Sequence, residues 1–206
     1  MSRESRKLND LKTKILSSAG AIRRMFKEDS HKKIIVNCGG HRAEYVRKLR
    51  RELDPYGDYF VHTFEPNPIY AKGYENLGRH QLHTKAVWTY DGKVRFYLQE
   101  NEKSHGHSVC KEKGNIDPDR YIEAECIDFG AWIKDNFSKD DHIIVRMDIE
   151  GAEYEVLRHI VQDGSIEYID RLLVEFHHRK YPELATEEEY AKLVDSIPIP
   201  LEEISC

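Results

Sequence analysis

Residues 141–161 read DHIIVRMDIEGAEYEVLRHIV. Ile143, Ile144, Val145 and Met147 form a short apolar run with β-branched side chains, the pattern of a strand covered on both faces of a parallel sheet. Asp148, Glu150 and Glu153 then crowd their carboxylates around Gly151, and Val156, Leu157, Ile160 and Val161 recur at the spacing of one helix face. The segment predicts strand, acidic turn and helix. Ligands of open α/β sheets sit beyond the carboxyl ends of the strands, which puts the acidic turn where a site would be built. Glu153 falls in the first helical turn, where the macrodipole favours a negative side chain. Asp148 and Glu150 have no such explanation in the simplest register and are read as functional.

Towards the N-terminus, KIIVN at 33–37 is a first strand, and Cys38-Gly39-Gly40 turns it into a helix with Ala43, Val46, Leu49 and Leu53 inward. Glycines there let backbone approach a ligand closely, and a helix N-terminus follows. A dinucleotide or S-adenosylmethionine would fit, but neither G-x-G-x-x-G nor G-x-x-x-x-G-K-[ST] is present. FVHTFE at 60–65 is a second strand, and its terminal Glu65 is placed to accept the ribose hydroxyls of an adenosine. A helix is expected around 69–77, then a third strand over Leu82–Trp88, with Ala86 and Val87 near an adenine. Asp91-Gly92 reads as a hairpin turn between 87–90 and 94–98. His105 and His107 lie in a loop spanning 102–115 and find no third metal ligand at recognisable spacing, so the loop is read as an inert exposed loop, with a mobile substrate loop as the alternative. Glu123–Ile127 is expected as an edge strand, and Asp128 as the cap of a helix to Asn136. Arg171–Phe176 is another buried strand, carrying Glu175, His177 and His178 to the edge where Asp148 lies. Thr186 begins a last helix, and 201–206 adds a strand.

With 206 residues the chain has room for one α/β domain, placed at 31–206, behind a basic, helix-patterned segment over 1–30. A net charge of −5 argues against nucleic-acid binding. Cysteines 38, 110, 126 and 206 show no C-x-x-C pairing and read as free thiols. No apolar run approaches the roughly 18 residues of a membrane span, and no signal peptide opens the chain, so a cytoplasmic location is expected. Oligomeric state is left open. Strands alternating with helices predict a doubly wound, mostly parallel sheet with helices on both faces.

The run Met147-Asp148-Ile149-Glu150-Gly151-Ala152-Glu153, followed later by Leu172-Leu173-Val174-Glu175-Phe176-His177, resembles the signature of FkbM-type S-adenosylmethionine-dependent methyltransferases. The family pattern is a basic residue, an Asp two positions on, E-G-x-E, and a later strand ending E-x-H. Arg146 stands where Lys is more frequent, and Phe64-Glu65-Pro66-Asn67-Pro68 also matches closely. The resemblance implies a class I methyltransferase sheet with a reversed edge strand. It also implies methyl transfer from S-adenosylmethionine to a hydroxyl of a sugar, glycan or similar small polyhydroxylated acceptor. On this footing Asn37 (where Asp is usual), Gly39, Gly40, Glu65, Asn67, Ala86 and Val87 hold the cofactor, and Asp148, Glu175 and His177 face the acceptor. A Mg or Mn ion on Asp148 and Glu150 is the alternative to a protein base. Two other classes share the pattern: an NAD(P)-dependent oxidoreductase, and a non-catalytic cofactor-binding partner subunit.

Overall fold

A computed structural model of the protein describes residues 31–99 and 106–205. The chain divides into two units, Met1–His31 and Lys32–Cys206. The basic helix expected over 1–30 lies outside the described residues, and the elements below all belong to the second unit.

Nine strands and four α-helices are described: β1 (Lys33–Cys38), α1 (Ala43–Leu53), β2 (Phe60–Phe64), β3 (His80–His83), β4 (Ala86–Trp88), β5 (Gly92–Tyr97), β6 (Tyr121–Asp128), α2 (Phe129–Asn136), β7 (His142–Met147), α3 (Glu153–Gln162), β8 (Arg171–Val174), α4 (Glu187–Ser196) and β9 (Leu201–Glu203). The larger sheet has six strands in the order β3-β2-β1-β7-β8-β9, and every pairing in it is parallel. From β1 the chain winds outward through β2 and β3, and from β7 outward through β8 and β9. The direction of winding reverses between β1 and β7, the kind of switch point at which a crevice opens.

The continuous apolar runs in β1 and β7 follow from burial on both faces. Ile34, Val36, Ile143 and Val145 pack into a core with Phe129 and Ile133 of α2 and Leu157 and Ile160 of α3. Ile35 and Ile144, pointing the other way, pack with Val61, Leu173 and the Ala43, Val46 and Leu49 face of α1. Each such side chain contributes about 1.5–3 kcal/mol. The caps expected from sequence form: Asp128 accepts from the Ala131 amide, and Thr186 makes a capping box with Glu189. Cys38, Cys110 and Cys126 are free thiols. Among the described residues no helix is long and apolar enough to cross a membrane.

Five expectations need correction. The third strand is two strands of different sheets, because the chain leaves the edge of β2 after His83 and resumes at Ala86 in a three-stranded sheet of order β4-β6-β5. The hairpin across Asp91-Gly92 does not close on itself. β6 lies between its arms, antiparallel to β5 and parallel to β4, and Asp91 accepts a hydrogen bond from the Asp128 amide. β6 is thus a central strand, not an edge. Among the described residues no reversed edge strand occurs in the larger sheet: β9 joins β8 in parallel. The helix expected near 69–77 is a 3₁₀ turn over Pro68–Tyr74, started by the Asn67 side chain accepting from the Ile69 amide.

At the β2–β3 margin His62 Nδ1 and His83 Nε2 lie 3.0 Å apart, packed against Phe64, Trp132 and Phe137. Burial, with the neighbouring histidines, pulls the His62 imidazole down to about 4 and lowers His83 as well. Neutral in the folded state but protonated once unfolded, these rings favour folding above pH ~6.5, and that contribution is lost as pH falls from there toward about 4. Urea midpoints at pH 7.5 and pH 5 should therefore differ more in wild type than in His62→Leu. Equal differences in the two proteins would remove these rings as the cause.

Candidate active site

The crevice is built by the ends of four neighbouring strands, and the β1–β7 contact sets its geometry. Cys38 is in register with Met147, and the Asp148 amide continues the ladder by donating to Cys38 O at 3.0 Å. Gly39 follows with φ +83°, and a Cβ on it would lie 1.8 Å from the Asp148 carbonyl oxygen. Only glycine satisfies both the left-handed backbone and this approach. The Gly39 and Gly40 amides both donate to Phe64 O at 3.0 Å, tying the turn to the end of β2. At the end of β8 the Glu175 amide donates to Met147 O at 3.0 Å. Gly39, Glu65, Asp148 and Glu175 are thereby brought to one rim.

They border a cavity of about 290 Å³. One end is lined by Tyr45, Tyr70, Pro66, Ala86 and Val87 around Glu65, and the other by Asp148, Glu150, Glu175, His177 and Lys180. Glu65 is almost wholly buried. Its two oxygens accept from the His41 amide at 2.7 Å and the Asn67 amide at 2.8 Å. Burial raises its carboxyl to about 7 in spite of those bonds. Asn37, Gly40 and Asn67 do not line the cavity but shape it from behind. Asn37 Oδ1 accepts from Arg146 Nη1 at 3.2 Å, Gly40 packs against Thr63 and Tyr74, and Asn67 caps the 3₁₀ turn.

Around the acidic turn the side chains form a connected set. Arg146 Nη2 donates to Asp148 Oδ2 at 2.8 Å, and Lys113 Nζ donates to Glu150 Oε2 at 2.5 Å. Glu153, explained from sequence by the macrodipole of the helix it begins, has a fully buried side chain. One of its oxygens accepts from the Gly151 amide at 2.9 Å and the other from His177 Nδ1 at 2.7 Å. The opposite ring nitrogen, His177 Nε2, lies 3.3 Å from Glu150 Oε2 and 3.8 Å from Asp148 Oδ1. Burial lowers the affinity of His177 for a proton, but Glu153, Glu150 and Asp148 more than offset it, so its pKa is raised. This is a ring fixed at one nitrogen by a buried carboxylate, with the other nitrogen turned to a cavity, the arrangement of an oriented general base. His178 takes no part: its Nδ1 lies 2.9 Å from the Tyr154 hydroxyl, inside the core.

A family model, the methyltransferase FkbM domain, matches residues 37–197. The chain belongs to the FkbM methyltransferase family. No curated protein and no solved structure matches it. Membership implies S-adenosylmethionine as methyl donor, and the cavity suits that molecule. Its lining has aromatic and apolar side chains against which a nucleoside would pack, a Glu65 carboxylate to which ribose hydroxyls would donate, and further carboxylates that would complement a sulfonium. Donor atoms of Asp148, Glu150 and His177 also lie within 4.8 Å of one another, close enough for a shared ion. The Mg or Mn ion offered there as an alternative to a protein base gains no support from the charges around it. Arg146 already neutralises Asp148 and Lys113 already neutralises Glu150, and a divalent cation would sit against both.

Sequence reasoning missed the segment 106–113. Far from being an exposed loop, it buries His107, Ser108 and Lys113 and sends His107 and Val109 into the cavity wall. His107 Nδ1 accepts from the Gln99 amide at 3.0 Å rather than serving a metal. Lys113, in the charged run Lys111-Glu112-Lys113 before Gly114, carried no signal of burial.

Replacing Glu65 with Ala should weaken S-adenosylmethionine binding tenfold or more, the worth of about 1.5–3 kcal/mol for charge-assisted hydrogen bonds. Because Glu65 titrates near 7, wild-type affinity should also rise between pH 6 and 8, with a proton released on binding. Calorimetry in buffers of different ionisation enthalpy reads both, and an unchanged affinity in Glu65→Ala would take this residue out of the site.

Proposed function

We propose that the protein transfers the methyl group of S-adenosylmethionine to a hydroxyl of a sugar, glycan or similar small polyhydroxylated acceptor, with His177 as general base. The observation that carries this reading is the Glu153–His177 pair, with Nδ1 held at 2.7 Å and Nε2 turned to the cavity 3.8 Å from Asp148. A hydroxyl placed at Nε2 would donate its one proton there, and the Asp148 carboxylate, 3.8 Å away, would accept from a neighbouring hydroxyl of the same acceptor. The hydrogen-bonding groups of Glu175 and Lys180 at that end of the cavity suit an acceptor rich in hydroxyls.

On this reading Gly39, Glu65, Ala86 and Val87 would hold the cofactor, which supplies a methyl group bonded to a positive sulfur. When the acceptor hydroxyl gives its oxygen to the methyl group that the bound cofactor would supply, His177 Nε2 would take the hydroxyl proton. Glu153, at Nδ1, stabilises the imidazolium that results. Asp148, held by Arg146, would accept from a second hydroxyl of the acceptor and offset the positive charge of the reacting centre. Glu175 accepts hydrogen bonds from other hydroxyls of the acceptor. The domain that does this is inferred to begin near residue 31, and a cytoplasmic setting remains our reading of the sequence.

Incubation with labelled S-adenosylmethionine and a panel of glycans and small polyols, followed by mass spectrometry, tests the activity. A methylated product excludes a non-catalytic cofactor-binding role. His177→Gln should reduce transfer by about 10²–10⁴-fold while cofactor affinity stays as in wild type. Since the His177 pKa is raised, wild-type transfer should climb with pH through a value above ~6.5, and EDTA should leave it unchanged. Full activity in His177→Gln would refute the base assignment.

A further inference from the structure

Lys113 is a lysine with no exposed side-chain surface. It lies 37 residues from Glu150 in sequence, yet its ammonium donates to Glu150 Oε2 at 2.5 Å and to Gly106 O at 2.8 Å, with the Tyr181 ring centroid 4.7 Å away. A second tie joins the same two segments, since Ser108 Oγ donates to Glu150 O at 2.7 Å. Glu150 itself has φ +59°, a left-handed conformation unfavourable for a residue with a side chain.

Pinning a segment does not require charge. A buried ion pair can often be replaced by well-packed apolar side chains with no loss of stability. A lysine kept here, bonded to a strained glutamate, suggests that its charge has a use. That use is visible in the atom it contacts: Glu150 Oε2 is also the oxygen that lies 3.3 Å from His177 Nε2. Lysine and histidine thus share one oxygen, with the ammonium at the shorter distance.

We propose that Lys113 is a positioning residue for the transfer reaction: by occupying Glu150 Oε2 it keeps that carboxylate from clamping His177 Nε2 and leaves the nitrogen available to the acceptor. The role rests on the reading of His177 as base. Groups facing His177 come from four parts of the chain: Glu153 of α3 at Nδ1, Asp148 and Glu150 of the turn after β7 at Nε2, and, behind those two, Arg146 of β7 and Lys113 of the 106–113 segment. Removing the Lys113 charge strengthens the Glu150–His177 contact and also removes a nearby positive charge. Both effects hold the proton on His177.

Nuclear magnetic resonance titration of the histidine rings in the full chain, with His177 assigned by its loss in His177→Gln, reads this without any acceptor. In Lys113→Met the His177 resonance should titrate at higher pH than in wild type, by roughly one unit or more. Lys113→Arg should restore the wild-type curve, Glu150→Gln should move it to lower pH, and Lys113→Met/Glu150→Gln should not exceed wild type. An unmoved titration in Lys113→Met overturns the proposal. If that variant does not fold, an unmoved titration in Glu150→Gln overturns it equally. The outcome is separable from the base assignment, because full transfer by His177→Gln would sink that assignment while leaving this titration as it stands.

Discussion

Residue 39 has no space for a side chain, because the carbonyl oxygen of Asp148 lies where a Cβ would begin. That contact fixes how closely the turn after β1 and the turn after β7 approach, and the remaining geometry depends on it. With the two turns in contact, the ladder extends past both strand ends, through the Asp148 amide on one side and the Glu175 amide on the other. The Gly39 and Gly40 amides, both on Phe64 O, carry the alignment across to β2 and so to Glu65. A rim made of four strand ends is therefore set by backbone hydrogen bonds. Precision at this rim does not depend on loop packing.

Onto that rim the protein loads an unusual amount of buried charge. Glu65, Arg146, Glu153, His177 and Lys113 are all buried, and each ionised group loses solvation that its partner must offset. The partners are arranged pairwise, Arg146 with Asp148, Lys113 with Glu150 and His177 with Glu153, so the cluster carries little net charge when the ring is protonated. Glu65 is held differently, by two backbone amides. Burial accordingly dominates its pKa, whereas at His177 the surrounding carboxylates dominate.

What could be read in the sequence was what is encoded locally. The runs at 34–36, 143–145 and 172–174 announce strands buried on both faces, and Asp128 and Thr186 stand where helix caps must. Glu65, Asp148 and Glu175 could be placed at the rim because each comes directly after the end of a strand, and His177 because it lies two residues beyond Glu175. What escaped depends on long-range pairing. Glu153 was explained by its helix dipole alone because its partner, His177, is 24 residues away. β6 looked like an edge because its two neighbours precede it in the chain and flank it only after folding. Lys113 was invisible for the same reason: nothing near it in sequence explains a buried ammonium.

The exceptions to ordinary folding preferences are unevenly distributed. Of the non-glycine residues with positive φ, His41 and Glu150 line the cavity while Asn76 and Arg79 do not. Arg79 has a structural explanation, since its guanidinium donates to the Asp58 and Tyr59 carbonyls. Glu150 is different, because a glycine there would relieve the backbone and remove the need for a buried lysine. Keeping the glutamate costs strain of order 1–3 kcal/mol and the desolvation of two charges. Sequences conflict with their own fold mainly where function requires it. The conflict at Glu150 therefore points to its carboxylate, shared between Lys113 and His177, as the feature the site retains at the expense of local stability.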